Sequence, residues 1–159
     1  VKIGEDAAFT YPCLLAAESL AYVDGCLYHY RNNAQSMTAA FDPHLTETIF
    51  IPLDILRTYF DTDKRALFAQ YQMYAAYLMQ LWVRNQASLD CDLDRKRMRQ
   101  SCARVCQNQE LRALLVSVPG ALPRQVAVAV RAVQQQKPGQ LYMLIKAWNL
   151  YYKLRNGRA

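Results

Sequence analysis

The chain lacks any continuous apolar stretch near the ~20 residues that a bilayer crossing needs, so no membrane-spanning helix is expected. It shows no secretory leader pattern. Its five cysteines are odd in number and follow no framework spacing, which excludes a disulfide-stapled scaffold and points to a reducing compartment. Histidine is scarce. His29 and His44 stand far in sequence from Cys102 and Cys106, the one cysteine pair spaced to share a helix face, so that pair reads as buried thiols rather than half of a zinc site. Internal repeats and low-complexity tracts are absent, and no recognisable nucleic-acid motif occurs. No initiator Met precedes Val1, and the chain is expected to be a piece of something longer.

What is present is a globular composition, 53% hydrophobic and 20% charged over 159 residues. That length suits one domain, or one domain plus a fragment of another. The net charge of +6 divides unevenly. Residues 1–60 carry a balance of −4 and residues 61–159 a balance of +10. A basic half of this kind is a solvated helical surface or faces an anionic partner.

Periodicity divides the chain at about residue 40. Before it, "EDAAFTYPCLLAAES" has a helical apolar spacing, with Pro12 either kinking the helix or standing in its first turn. "LAYVDGCLYHYR" then reads as a β-hairpin turning at Asp24-Gly25. On its second strand His29 and Arg31 share one face, and Tyr28 and Tyr30 the other. After it the pattern is helical. Asp42-Pro43 signals a start, and Leu45, Ile49, Leu53, Leu56 and Phe60 form a stripe with a bend at Pro52. Leu67, Tyr71, Tyr74, Leu78 and Leu81 mark a helix over 64–86. A third helix covers 92–107, with "DLD" at Asp92–Asp94 as its cap. "PRQVAVAVRAVQQQ" fits both strand and helix, and Pro123 with the Gln run favours helix. The last helix follows a break at Pro138-Gly139. It groups Leu141, Leu144, Ile145, Trp148 and Tyr152 on one side.

Glu5-Asp6 alone reads as a helix cap, and the strand aromatics alone as core. Their order says more. "IGEDAAF", "LAYVDGCLYHYR" and "NNAQSMT" follow one another within residues 3–38, and this order resembles the end of the catalytic domain in bacterial family 2 glycosyltransferases of the GT-A type. In that family a "GED" precedes a helix, then come a strand, an aromatic-rich "Y-x-Y-R" and a loop with "S-[IM]-T". The resemblance covers roughly a quarter of the chain, and its specificity lies in the order of the pieces.

The resemblance implies an inverting sugar transfer from a nucleotide-sugar donor to a saccharide or cell-envelope polysaccharide acceptor. Asp6 would be the general base and Glu5 would orient the acceptor. Arg31, with Ser36 and Thr38 of the following loop, would lie near the diphosphate or acceptor, Tyr30 of the same motif would contact substrate, and His29, on the strand face of Arg31, would contact substrate or metal. A divalent cation, Mg or Mn, is implied for the whole enzyme and none for this piece. The sequence departs from a complete enzyme in having no D-x-D before residue 4 and no nucleotide-binding half, so the piece alone is expected to be inactive.

The expected architecture is therefore mostly α. Residues 1–40 are a helix and hairpin remnant of an α/β catalytic domain. Residues 41–159 are a C-terminal helical domain of about five helices. The remnant is expected to be loosely held, or to pack on the bundle through Phe9, Leu14, Tyr28 and Tyr30, and its uncovered apolar surface favours a homodimer. Residues 140–158 join aromatic and basic residues in a way that suits an anionic membrane surface, and location is expected to be cytoplasmic, at the inner membrane face. The competing reading is a non-catalytic basic helical module for oligomerisation, membrane-surface contact or nucleic-acid binding. Nucleic acid is the weakest of these, because the basic residues are spread over several helices.

Overall fold

The computed structural model describes residues 4–26, 28, 40–60 and 65–156. The described residues form eight helices and no strand: α1 (Glu5–Ala16), α2 (Leu45–Thr48), α3 (Ile51–Leu56), α4 (Arg65–Gln86), α5 (Arg95–Gln107), α6 (Gln109–Leu115), α7 (Arg124–Gln134) and α8 (Pro138–Asn156). The mostly helical fold agrees with the periodicity of the sequence.

Helix α4 is the axis. It packs on α2, α3, α6, α7 and α8, while α5 and α7 together support α8. Its buried face comprises Tyr71, Gln72, Ala75, Ala76, Leu78, Met79, Trp82 and Val83. The stripe expected from spacing lies along one edge of this face. Tyr71 and Leu78 are buried, but Leu67, Tyr74 and Leu81 are only half-buried. The centre was hidden because alanines and Trp82 do not stand out in an apolar-period count. Neighbours on several sides also bury more of the helix than one stripe.

Several polar groups inside the bundle find partners across helices. The Trp82 indole N–H donates to Thr46 Oγ1 at 3.0 Å. Gln72 Nε2 donates to the Leu114 carbonyl at 3.0 Å and to Ser117 Oγ at 3.1 Å, tying α4 to the end of α6. Asn149 Nδ2 donates to the carbonyls of Ala87 and Ser88 at 3.2 and 3.0 Å, which holds α8 against the end of α4.

Several boundaries follow local chemistry. Asp94 accepts from the Arg97 N–H at 2.8 Å and caps α5, so "DLD" is the cap that the sequence suggested. Asp42 Oδ1 likewise accepts from the His44 N–H at 2.9 Å. The stripe Leu45, Ile49, Leu53, Leu56 and Phe60 is buried throughout. Its helix is not bent but interrupted: α2 stops before Pro52, which re-enters in the first turn of α3 where its missing N–H costs nothing. Gln109–Leu115 forms a helix not apparent from periodicity, capped by Asn108 accepting from the Leu111 N–H at 2.9 Å. The ambiguous valine run is helical, with Val126, Val130 and Val133 inward and Val128 outward. Pro138 opens α8 rather than breaking before it. The chain reverses just ahead of it, at Gln136 (φ 51°), where the Lys137 N–H reaches back to the Ala132 carbonyl at 2.8 Å.

The front of the chain departs from expectation. Pro12 lies inside α1, and Glu5 and Asp6 occupy its first turn. The first arm of the expected hairpin, Leu20–Val23, is exposed and forms no strand. An isolated two-stranded ribbon is marginal in water, and the described residues offer no sheet for it to join. The second arm at Leu27 and His29–Arg31 lies outside the described residues. No residue of α1 is buried. The helix rests on α3, and its contact residue is Tyr11, not Phe9, Leu14 or Tyr28, which are all exposed. Tyr30 lies outside the described residues. No helix among the described residues is long and apolar enough to cross a membrane.

Trp82 is fully enclosed and hydrogen-bonded. Trp82→Ala is expected to cost about 3–5 kcal/mol and Thr46→Val about 1 kcal/mol, both read from urea unfolding followed by circular dichroism.

Candidate functional site

The acidic pair is placed by the glycine before it. Gly4 takes a left-handed conformation, φ 84° and ψ 16°, at the start of α1. Its carbonyl accepts the first helical hydrogen bond, from the Ala8 N–H at 2.9 Å. Glycine is required here twice over. A side chain would be strained at this φ, and a Cβ would run into the Tyr74 hydroxyl while lying 2.9 Å from Pro52 Cγ. Gly4 thus lets the backbone settle directly on α3 and α4. Glu5 and Asp6 then project from the first turn into solvent, at the positive end of the helix dipole. The Ala7 N–H donates to Asp6 Oδ1 at 2.8 Å.

Beneath the pair lies a cluster of aromatic rings. Tyr11 meets Phe60 and Tyr74 edge-on, with ring centres 5.8 and 5.9 Å apart. Phe60 stacks on Tyr71 at 5.1 Å, and Tyr74 on Tyr77 at 6.3 Å. The Tyr74 hydroxyl oxygen is buried, with no hydrogen-bond partner among the described residues. Burial pushes this phenol well above its ordinary value, and the charges of Asp6 and Glu5 add to the effect. Tyr74 is therefore a neutral floor to the acidic pair and not a proton acceptor.

A second group of polar residues lies near Phe60. The Arg57 guanidinium pairs with Glu110 and joins α3 to α6. Asp54 shares a hydrogen bond with Glu110; partial burial, then that bond and the Glu110 charge, raise its carboxyl above the usual range, while Arg57 opposes them. Arg57 and Glu110 border a cavity of about 440 Å³ whose apolar walls are Phe60, Phe68, Tyr71 and Leu114. The Tyr71 hydroxyl donates to the Leu53 carbonyl at 2.5 Å, and burial with the nearby carboxylates pushes this phenol to about 12.

The structure thus brings together two of the residues expected at a site, Glu5 and Asp6. His29, Tyr30, Arg31, Ser36 and Thr38 lie outside the described residues. Spacing placed Tyr74 on a helix face but did not disclose its contact with Gly4, nor Tyr11 or the Asp54–Arg57–Glu110 group, because their partners are distant in sequence. The glycine preceding two acids was the only local sign. Among the described residues no three His, Cys, Asp or Glu side chains gather as a metal ion would need. Cys102 and Cys106 are buried, and burial pushes their thiols up to about 12 and about 11, which keeps both protonated. No protein-family model, curated protein or solved structure matches the chain.

Two outcomes follow. Gly4→Ala is expected to loosen α1 from α3 and α4 without unfolding the bundle, seen as faster amide hydrogen exchange in 5–16. Adding Tyr74→Phe is expected to recover part of the loss, because the clashing hydroxyl is gone. Asp54 is raised in the folded state, so its ionisation lowers stability as pH rises from 3.8 through its folded value. Asp54→Asn is accordingly expected to raise Tm slightly at pH 7, and the gain is expected to fade as the pH falls below 3.8, where both states become protonated.

Proposed function

We propose that this chain is the C-terminal part of an inverting glycosyltransferase of the family 2, GT-A type, with Asp6 as its general base. The observation that carries the reading is the ordered text "IGEDAAF", "LAYVDGCLYHYR" and "NNAQSMT" in residues 3–38. The placement of the acidic pair supports it. Glu5 and Asp6 are solvent-facing at a helix start that a glycine presses onto a rigid aromatic floor. A base that meets an incoming hydroxyl needs such an accessible, well-anchored position.

In the proposed reaction an acceptor hydroxyl oxygen attacks the anomeric carbon of a nucleotide sugar. Its proton passes to the Asp6 carboxylate as the new C–O bond forms. The bond to the diphosphate breaks on the opposite face, so the anomeric configuration inverts. Base catalysis of this kind contributes on the order of 10²–10⁴-fold. Glu5 orients the acceptor, and Arg31, Ser36 and Thr38, with His29 and Tyr30, hold substrate oxygens by charge-assisted and neutral hydrogen bonds.

Exposed apolar residues of α1 and of the segment after it also support a second unit beside them. Phe9 is 73% exposed, Leu20 75% and Tyr22 89%, whereas the bundle behind encloses its own core. Large apolar side chains left this exposed are suited to cover by the remainder of a catalytic domain. The same self-contained core favours one alternative, a helical module with no chemistry of its own. Donor turnover decides between them.

The decisive experiment uses the longer protein that contains this chain, in an assay of nucleotide-sugar consumption and transfer. Asp6→Asn is expected to lower kcat by a factor on the order of 10² or more while nucleotide still binds. The 159-residue chain alone is expected to turn over no donor. Full transfer by the Asp6→Asn protein would remove Asp6 from the mechanism, and consumption of no donor would leave the helical module.

A further inference from the structure

We infer that the outward face of α8 seats the protein on the surface of an anionic lipid bilayer. The helix is apolar on two opposite sides. Its inner side, with Leu141, Tyr142 and Ile145, is buried against α5 and α7. Its outer side carries Met143, Ala147, Leu150 and Leu154 at spacings of four, three and four, which align on one straight stripe. Met143 is 65% exposed, Leu150 56% and Leu154 57%, and Tyr151, 55% exposed, stands beside them. A helix that served only as a bundle wall would place polar residues there.

Charge selects the occupant. From Pro138 to Asn156 the helix holds Lys146, Lys153 and Arg155 and no acidic residue. Lys146 Nζ leans over the Tyr142 ring at 5.9 Å, and the Arg99 guanidinium of α5 lies over the same ring at 5.2 Å, so α5 adds a cation to this flank. The acidic residues Asp90, Asp92 and Asp94 belong to the segment between α4 and α5. The segment is held to α8 at Ser88 by Asn149, and the charges of Asp92 and Lys146 both reach Cys91, so its three acids stand near the lysine flank of the helix, where the four cations at the start of α5, Arg95, Lys96, Arg97 and Arg99, outnumber them. An apolar stripe on a helix with three cations and no anion of its own matches hydrocarbon below and anionic headgroups around it. A second copy of the chain would bring like charges together, and a nucleic acid would leave the stripe wet. From Met143 to Leu154 the helix runs about 16 Å, a length for lying in the interface and not for crossing it. Tyr151 supplies an amphipathic ring at headgroup level.

The inference is independent of sugar transfer and is read without it. Purified chain is floated with vesicles of phosphatidylcholine, or of phosphatidylcholine mixed with phosphatidylglycerol, at low and high salt. Expected is capture by the anionic vesicles alone, weakened by salt. Leu150→Glu with Leu154→Glu is expected to reduce capture at least about tenfold, and Lys146→Gln with Lys153→Gln to reduce it roughly tenfold. Phe9→Glu, which alters an exposed apolar residue far along the chain, is expected to change nothing. Circular dichroism melting checks that each variant is folded, and should the glutamate pair unfold, the surface lysine pair decides. No capture by anionic vesicles, equal capture by neutral ones, or an equal loss on Phe9→Glu would overturn the inference. So would a concentration-dependent dimer that Leu150→Glu dissolves while vesicle capture persists.

Discussion

The structure depends on the burial of one face of α4. Ala75 and Ala76 are fully enclosed and small, which lets neighbouring helices approach closely, and Trp82 and Met79 fill the space that remains. Helices α2, α3, α6, α7 and α8 pack about this helix, while α5 and α7 support α8 apart from it. The hydrogen bonds from Trp82 to Thr46 and from Gln72 to the end of α6 set which element lies at which level along it. A core so organised is specific as well as apolar, since each buried donor accepts only one neighbour geometry.

Outside this core the chain is held by fewer and different contacts. Helix α1 reaches the bundle through Gly4, which sits on Tyr74 and Pro52, and through Tyr11, which wedges between Phe60 and Tyr74. The contact is aromatic and narrow. It fixes the start of α1, where the acidic pair stands, and leaves Phe9, Leu14 and Leu15 facing outward. The position of Glu5 and Asp6 is thus anchored by the bundle, although the apolar surface around them is not covered by it.

Helix α8 shows the opposite arrangement. It is firmly packed on its inner side and tied to the end of α4 through Asn149, and this packing is what presents the outer stripe in a fixed orientation. The basic residues of α5 and α8 are not a diffuse solvated face only. Arg99 and Lys146 converge on Tyr142, which gives the basic half of the sequence a local shape.

The sequence by itself determined the helical class, the buried stripe from Leu45 to Phe60, the cap at Asp94 and the inward valines of α7. Each of these depends on residues within a few positions of one another, where period and capping chemistry act directly. It also marked Gly4-Glu5-Asp6 as a unit. Only the tertiary structure decided that Tyr74 and Pro52 underlie this glycine, that Trp82 and the alanines centre the core, and that Asp54, Arg57 and Glu110 share charge. It alone decided that α8 has a second apolar side left open. The hairpin read from Asp24-Gly25 shows the limit most plainly. Turn chemistry can propose a ribbon, but a strand exists only where another chain segment pairs with it, and pairing is a property of the whole fold.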